Sequence, residues 1–166
     1  MKNPLDEVIE PRATQEEMTN FIETELTESL KGLPTRTTQF GRFDKGLAYT
    51  ILMKYYMHEK NWAKAEECGR ELLKAEYGYG LMDRYADIFT LENEGNKEII
   101  FACTEERGTN LQLWHDHALP GNYPTKNASI QKWDGYKVPW PFYRTFEEGD
   151  DRLSVLVGEY VGTDGV

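Results

Sequence analysis

The stretch "YYMHEKNWAKAEE", Tyr55 to Glu67, ends one helical pattern and starts another within a few residues. Upstream of it, Ala48, Ile51, Leu52, Tyr55 and Tyr56 recur at i, i+3, i+4, i+7 and i+8, the spacing of a buried helical stripe. The polar run "HEKN" interrupts the stripe, and Trp62, Ala65, Gly69, Leu72 and Leu73 resume it in a new register. Two antiparallel helices joined by a tight turn are the expectation. The small residues Ala65 and Gly69 would let the helices approach closely, with Tyr56 and Trp62 filling the wedge near the turn.

Working outward, Asp44 is the expected N-cap of the first of these helices, because its carboxylate accepts from free amides of the opening turn. Earlier still, Thr14 with Glu17 three residues on forms a capping-box signature, followed by Met18, Phe21, Ile22, Leu26 and Leu30 on one face. Gly32, Leu33 and Pro34 then supply a stop, so a helix over residues 15–31 is expected. A lone helix pair buries too little to hold itself together, and this earlier helix is the natural third layer. Downstream, Tyr85, Ile88 and Phe89 mark a short amphipathic helix, and "EIIFACT" reads as a strand from its β-branched and aromatic content. From Gly108 to Pro141 the pattern turns irregular, with prolines at 120, 124, 139 and 141, yet its aromatic content argues for order.

Composition narrows the function classes. The formal net charge of −10 would repel a phosphate backbone, and no basic cluster offsets it, so no nucleic-acid partner is expected. Cys68 and Cys103 lack CxxC or His-paired spacing and read as buried or half-buried free thiols, with no zinc and no cofactor. The opening "MKNPLDEVIEPRA" has no apolar signal core, and no run approaches the roughly 18 apolar residues of a membrane span, so the chain as given reads as soluble. The closing "VGEYVGTDGV" reads as a cut after strand-like alternation rather than as a finish.

The Leu52, Tyr56 and Ala65 spacing resembles a tetratricopeptide repeat, although Gly69 and Leu72 stand where that repeat usually has an aromatic and an alanine. A wider resemblance runs through "PRATQEEMTNFIETEL", "GRFDKGLAYTILMKYYM", "NWAKAEECGRELL", "YGLMDRYADIFTLENEGNKEIIF" and "VPWPFYRTFEEGDDRL", in order from Pro11 to Leu153. That set is similar to the SusD/RagB family of nutrient-binding proteins. The resemblance implies a surface-exposed lipoprotein of the outer membrane that binds glycans or peptides and closes over a TonB-dependent, SusC-like transporter. Relative to that family the lipidated cysteine, the opening helices and a large C-terminal half are missing, so the chain resembles an internal fragment or a truncated member.

The expected fold is therefore mainly α. It is a tetratricopeptide-like helical repeat (α/α superhelix) with a short strand and an irregular aromatic-rich extension, one segment over 1–166 with 11–101 helical and 102–166 irregular. Between Leu111 and Phe146 lie three of the four tryptophans, and flat aromatic faces stack on the apolar faces of sugar rings while amides and carboxylates bind hydroxyls. Trp114, Trp133 and Trp140, with Asn110 and Asp134, are the candidate ligand contacts; Asp116, Asn122 and Asn127 lie nearby in sequence. The alternative for the same rings is core packing that pins the irregular segment. "HDH" would place His115 and His117 on one face of an extended segment, but two imidazoles are an incomplete metal site. The acidic neighbours Glu105 with Glu106 and Asp150 with Asp151 are adjacent rather than opposed across a cleft, and no Ser/His/Asp order, phosphate loop or HExxH motif occurs. Asp150 with Arg152 reads as the fixture of the turn after "FEEG". The expectation is a non-catalytic glycan-binding subunit of a SusC/SusD-type uptake system. A helical-repeat adaptor for protein segments is the alternative, and a glycan hydrolase fragment ranks behind both.

Overall fold

The computed structural model describes residues 11–105, 114–126 and 130–165, with His115 described for its backbone only. The fold is mainly helical, and the chain divides into two units, 11–79 and 80–165, whereas the sequence pattern changes at 101/102.

In the first unit, helix α1 spans Gln15–Gly32, α2 Lys45–His58 and α3 Trp62–Leu72, followed by a 3₁₀ turn at Ala75–Tyr77. The capping box forms as expected: the Glu17 amide donates to Thr14 Oγ1, and the Thr14 amide donates to the Glu17 carboxylate at 2.8 Å. Asp44, buried at 3% exposure, accepts from the Leu47 amide at 3.0 Å and from the Thr37 amide at 3.2 Å, so one carboxylate starts α2 and holds the connector before it.

The turn in the opening stretch has a backbone cause. The Lys60 amide donates to Met57 O and the Asn61 amide to Tyr56 O at 2.8 Å, the paired bonds that close a helix when one residue adopts the left-handed conformation. Lys60 is that residue, at φ 58°, where glycine is the usual choice. Asn61 then caps α3 by accepting from the Lys64 amide. Leu52, Tyr56, Ala65 and Cys68 form the buried seam of the pair, and Leu26, Leu30, Tyr49, Met53 and Tyr55 pack around it. The third layer is α1: Thr19 Oγ1 accepts from Tyr55 Oη at 2.7 Å, and Glu23 pairs with Lys64, whose ammonium also lies 5.0 Å from the centre of the Tyr56 ring.

Several details differ from the sequence expectations, and the first is that Ile51 and Leu73 of the two helical stripes, with Met18 and Phe21 of α1, stand exposed, because α1, α2 and α3 bury mainly the seam around Leu52, Tyr56, Ala65 and Cys68. Trp62 is 62% exposed and does not fill the wedge beside Tyr56, because it stands at the first position of α3 on the solvent side of the turn. Cys68 is buried but Cys103 is exposed. At Gly69 a methyl group would sit 3.5 Å from Met53 Sδ, ordinary contact, so the α2–α3 seam does not require glycine there. The glycine that packing does require is Gly46, where a Cβ would lie 2.0 Å from Tyr79 Oη.

The second unit is built mainly from turns. It holds 3₁₀ turns at Tyr85–Phe89, Leu91–Asn93 and Asp151–Val155 and two short helices, α4 at Trp114–Ala118 and α5 at Trp140–Tyr143. The expected strand over "EIIFACT" is absent among the described residues: the Ile99 amide turns back to Asn96 O, and the one nearby cross-chain backbone bond, Gly80 amide to Lys97 O, has no ladder around it. Side chains replace the ladder. Glu98 accepts from the Met82 amide at 2.6 Å, Asn96 Nδ2 donates to Ile88 O, and Asp151 accepts from the Tyr85 amide at 2.8 Å.

Candidate functional site

The site is an aromatic platform in the second unit, built where residues 133–136 dock on the end of α4. A helix leaves its last carbonyls without internal partners, and here the docked segment supplies them. The Trp133 amide donates to Asp116 O at 2.7 Å, the Gly135 and Tyr136 amides to His117 O at 2.7 and 3.0 Å, and the Asp134 amide to Leu119 O at 3.0 Å. Asp134 adopts the left-handed conformation at φ 52°, and Gly135 passes so close that a Cβ would lie 3.2 Å from His117 O. This Asp-Gly turn throws Trp133 and Tyr136 to either side of His117.

The rings then meet around that histidine. Trp114, the first residue of α4, stacks on Tyr136 at 5.3 Å with 24° between planes. His117 lies 4.6 Å edge-to-face from Trp133 and 5.4 Å from Tyr136. Trp133 Nε1 donates to Gln131 Oε1, which orients the indole, and the Asp134 carboxylate pairs with the Lys137 ammonium at 3.0 Å. These rings are not core: Trp114 is 64% exposed, Tyr136 55% and Trp133 46%. Exposed, backbone-clamped aromatic faces, with the Asp134–Lys137 ion pair on the same docked segment, offer stacking for apolar ligand faces and hydrogen bonds for hydroxyls.

Of the sequence candidates, Trp114, Trp133 and Asp134 come together here. Trp140 does not join their ring contacts; it lies on α5, exposed, edge-to-face with Tyr143. Asn110, Asn127 and Glu106 lie outside the described residues. Asn122 is engaged elsewhere, accepting from Tyr160 Oη and donating to the Asp164 carboxylate. The extended backbone that a His115 and His117 pair would need is a helix instead, and no group of three or more ligating side chains occurs among the described residues. Tyr136 and His117 are the platform members that sequence spacing did not select, although the "DG" turn between Trp133 and Tyr136 is a readable signal for them.

Asp150 and Asp151 each hold a contact within the second unit. Asp150 chelates the Arg152 guanidinium through Nε and Nη2, which holds its carboxyl below the usual carboxylate range, and Arg152 also lies 5.0 Å from the centre of the Phe146 ring. An open polar depression of about 380 Å³ beside them is lined by Thr145, Glu147, Glu148 and Gly149. Asp151 is the acceptor that holds Tyr85. No family model, no curated protein and no solved structure matches this chain. No helix among the described residues is long and apolar enough to cross a membrane.

Proposed function

We propose that this chain is a non-catalytic, SusD-like nutrient-binding segment that captures glycans on the Trp114–Tyr136–Trp133 platform. The observation that carries this reading is the exposure of three clamped aromatic rings in one place, because burying such rings without a ligand would have been the ordinary outcome. Asp134 is the hydroxyl-binding group at the platform edge. In the same proposal the helical unit belongs to a tetratricopeptide-type α/α superhelix, the full-length form is lipid-anchored at the cell surface of the outer membrane, and a TonB-dependent, SusC-like transporter is its partner.

The test is calorimetry of the whole chain against α- and β-linked neutral hexasaccharides. Stacking one ring contributes about 0.5–1.5 kcal/mol, so Trp114→Ala or Tyr136→Ala should each weaken binding roughly two- to tenfold. Trp140→Ala should leave it within about twofold, since Trp140 shares no ring contact with the platform. Absence of binding by the unmodified chain to every such sugar would remove the proposal. The adaptor alternative draws support from exposed Met18, Phe21, Met57 and Trp62 on the helical unit; peptide capture that Phe21→Ser abolishes, with no sugar bound, would favour it instead.

A further inference from the structure

We propose that the exposed face of α5, with the depression beside it, docks a segment of a partner protein that presents an apolar side chain next to lysine or arginine. This does not depend on the glycan reading above, since it uses none of the platform residues. The stretch "VPWPFYRTFEEGDD" builds the face. Pro139 precedes α5 and Pro141 sits in its first turn, each with its φ fixed by the ring, so a single helical turn is held rigid at the surface. Its side chains are left in water: Trp140 is 68% exposed, and Val138, Phe142 and Tyr143 are exposed beside it in sequence. Two edge-to-face pairs order the rings, Trp140 with Tyr143 at 5.6 Å and Phe142 with Phe146 at 5.3 Å.

Exposed apolar side chains that stand together mark a surface that a partner covers, and charge says which partner. The face and the depression are continuous. Thr145 lines the depression and its hydroxyl donates to Phe142 O at 2.7 Å, while Arg152 lines it too and lies 5.0 Å from the centre of the Phe146 ring. Arg152 is neutralised by Asp150, and Asp151 is taken up by the Tyr85 amide. Glu147 and Glu148 line the same depression, and their carboxylates have no ion pair or hydrogen bond among the described residues. Over residues 138–152 Glu147, Glu148, Asp150 and Asp151 outnumber Arg144 and Arg152. Two unpaired carboxylates beside an apolar face complement a segment that carries a cation next to an apolar residue, and they repel an anionic lipid surface or a phosphate backbone. A sugar chain stacks on flat faces, whereas these ring pairs meet at 84° and 86°.

The test is selection of random dodecapeptides displayed on phage against the whole immobilised chain, with counter-selection on Trp140→Ser/Glu147→Gln/Glu148→Gln. Circular dichroism checks that this variant folds, and Glu147→Lys/Glu148→Lys, changed only at exposed positions, replaces it should it not. Peptides that prefer the parent should pair an aromatic or aliphatic residue with lysine or arginine. In fluorescence anisotropy a synthetic copy of such a peptide should bind about tenfold more weakly to Trp140→Ser and roughly fivefold more weakly to Glu147→Gln/Glu148→Gln. Arg144→Gln should not weaken it, and added salt should weaken it on the parent more than on the double glutamine variant. Failure to find any peptide that distinguishes parent from variant, or a consensus without basic residues, overturns the proposal. Sedimentation showing that the parent dimerises and the variant does not overturns it as well, because a second copy would then be the occupant. Hexasaccharide binding that the triple variant loses gives the face to sugar and overturns it too, whereas equal sugar binding, or none, by both proteins leaves the peptide result to decide.

Discussion

Two glycines in the helical unit should respond oppositely to the same substitution. Replacing glycine by alanine inside a helix gains up to about 0.8–1.0 kcal/mol of propensity, provided the new methyl has room. At Gly69 it does, since the nearest atom, Met53 Sδ, would lie 3.5 Å away. Gly69→Ala should therefore stabilise the chain by about 0.5–1 kcal/mol. At Gly46 the methyl would meet Tyr79 Oη at 2.0 Å and Cζ at 2.9 Å. The Tyr79 ring is constrained against moving aside: the Arg36 guanidinium lies 4.9 Å from the ring centre, Tyr77 stacks on it at 6.0 Å, and Arg36 is tied to Tyr77 O at 3.0 Å. Forced overpacking costs about 1–3 kcal/mol, and the propensity gain is smaller at the second residue of a helix. Gly46→Ala should therefore lose about 1–2 kcal/mol net, leaving the two variants about 1.5–3 kcal/mol apart. Tyr79→Phe sharpens the argument. Its hydroxyl is buried with no hydrogen-bond partner among the described residues, an arrangement that costs about 1–3 kcal/mol. Removing it should stabilise the parent and rescue part of the Gly46→Ala loss, with Cζ at 2.9 Å limiting the rescue. Urea unfolding at 25 °C, followed by circular dichroism at 222 nm, reads the parent, the three single variants and the Gly46→Ala/Tyr79→Phe double variant. Gly46→Ala matching or exceeding the parent, or additive effects with Tyr79→Phe, would refute the packing argument.

Lys60 closes α2 in the left-handed conformation, which costs a non-glycine residue about 1 kcal/mol, so Lys60→Gly should stabilise the helix pair by about 0.5–1 kcal/mol in the same urea assay; a loss of stability would mean that the lysine side chain matters more than the turn. A second expectation concerns alkali. The Tyr56, Tyr77 and Tyr79 phenols are all pushed up, first by burial and then by nearby carboxylates: Glu23 for Tyr56, Glu71 for Tyr77 and Asp44 for Tyr79. A group raised in the folded state contributes stability that is intact below its unfolded pKa and is lost as pH rises through the folded one. Helicity should therefore hold to about pH 10 and fall above it, together with a late phenolate absorbance at 295 nm. All ten tyrosines titrating as one group near pH 10, with helicity unchanged, would contradict this.

Helix spacing was legible because local rules and packing agree in the first unit. Thr14 and Glu17, Asp44, and Ala48, Leu52 and Tyr56 of the first stripe behave in the structure as propensity and period require, while Ile51 of the same stripe is exposed. The failures have a common physical form: each needed a partner far away in sequence. Gly46 looks unremarkable until Tyr79, thirty-odd residues later, lies across it, and Gly69 looks like a packing device until Met53 proves far enough away. "EIIFACT" has strand composition, but a strand exists only in a ladder, and the described residues offer this one no partner.

The platform shows the same division. Composition alone pointed to the aromatic-rich segment, and of its candidates Trp114, Trp133 and Asp134 come together in the structure. Spacing pointed to Trp140 and not to Tyr136, yet it is Tyr136 that stacks on Trp114 while Trp140 lies on α5, since proximity in sequence cannot say which rings α4 gathers at its end. What gathers them is backbone: orphaned carbonyls of Asp116, His117 and Leu119 take the amides of residues 133–136, and the left-handed Asp134 sets which way each ring faces. A site of this kind is specified by a turn and a helix end rather than by a motif. The side chains around that clamp can therefore vary one at a time, as the alanine substitutions require, provided the turn itself is kept.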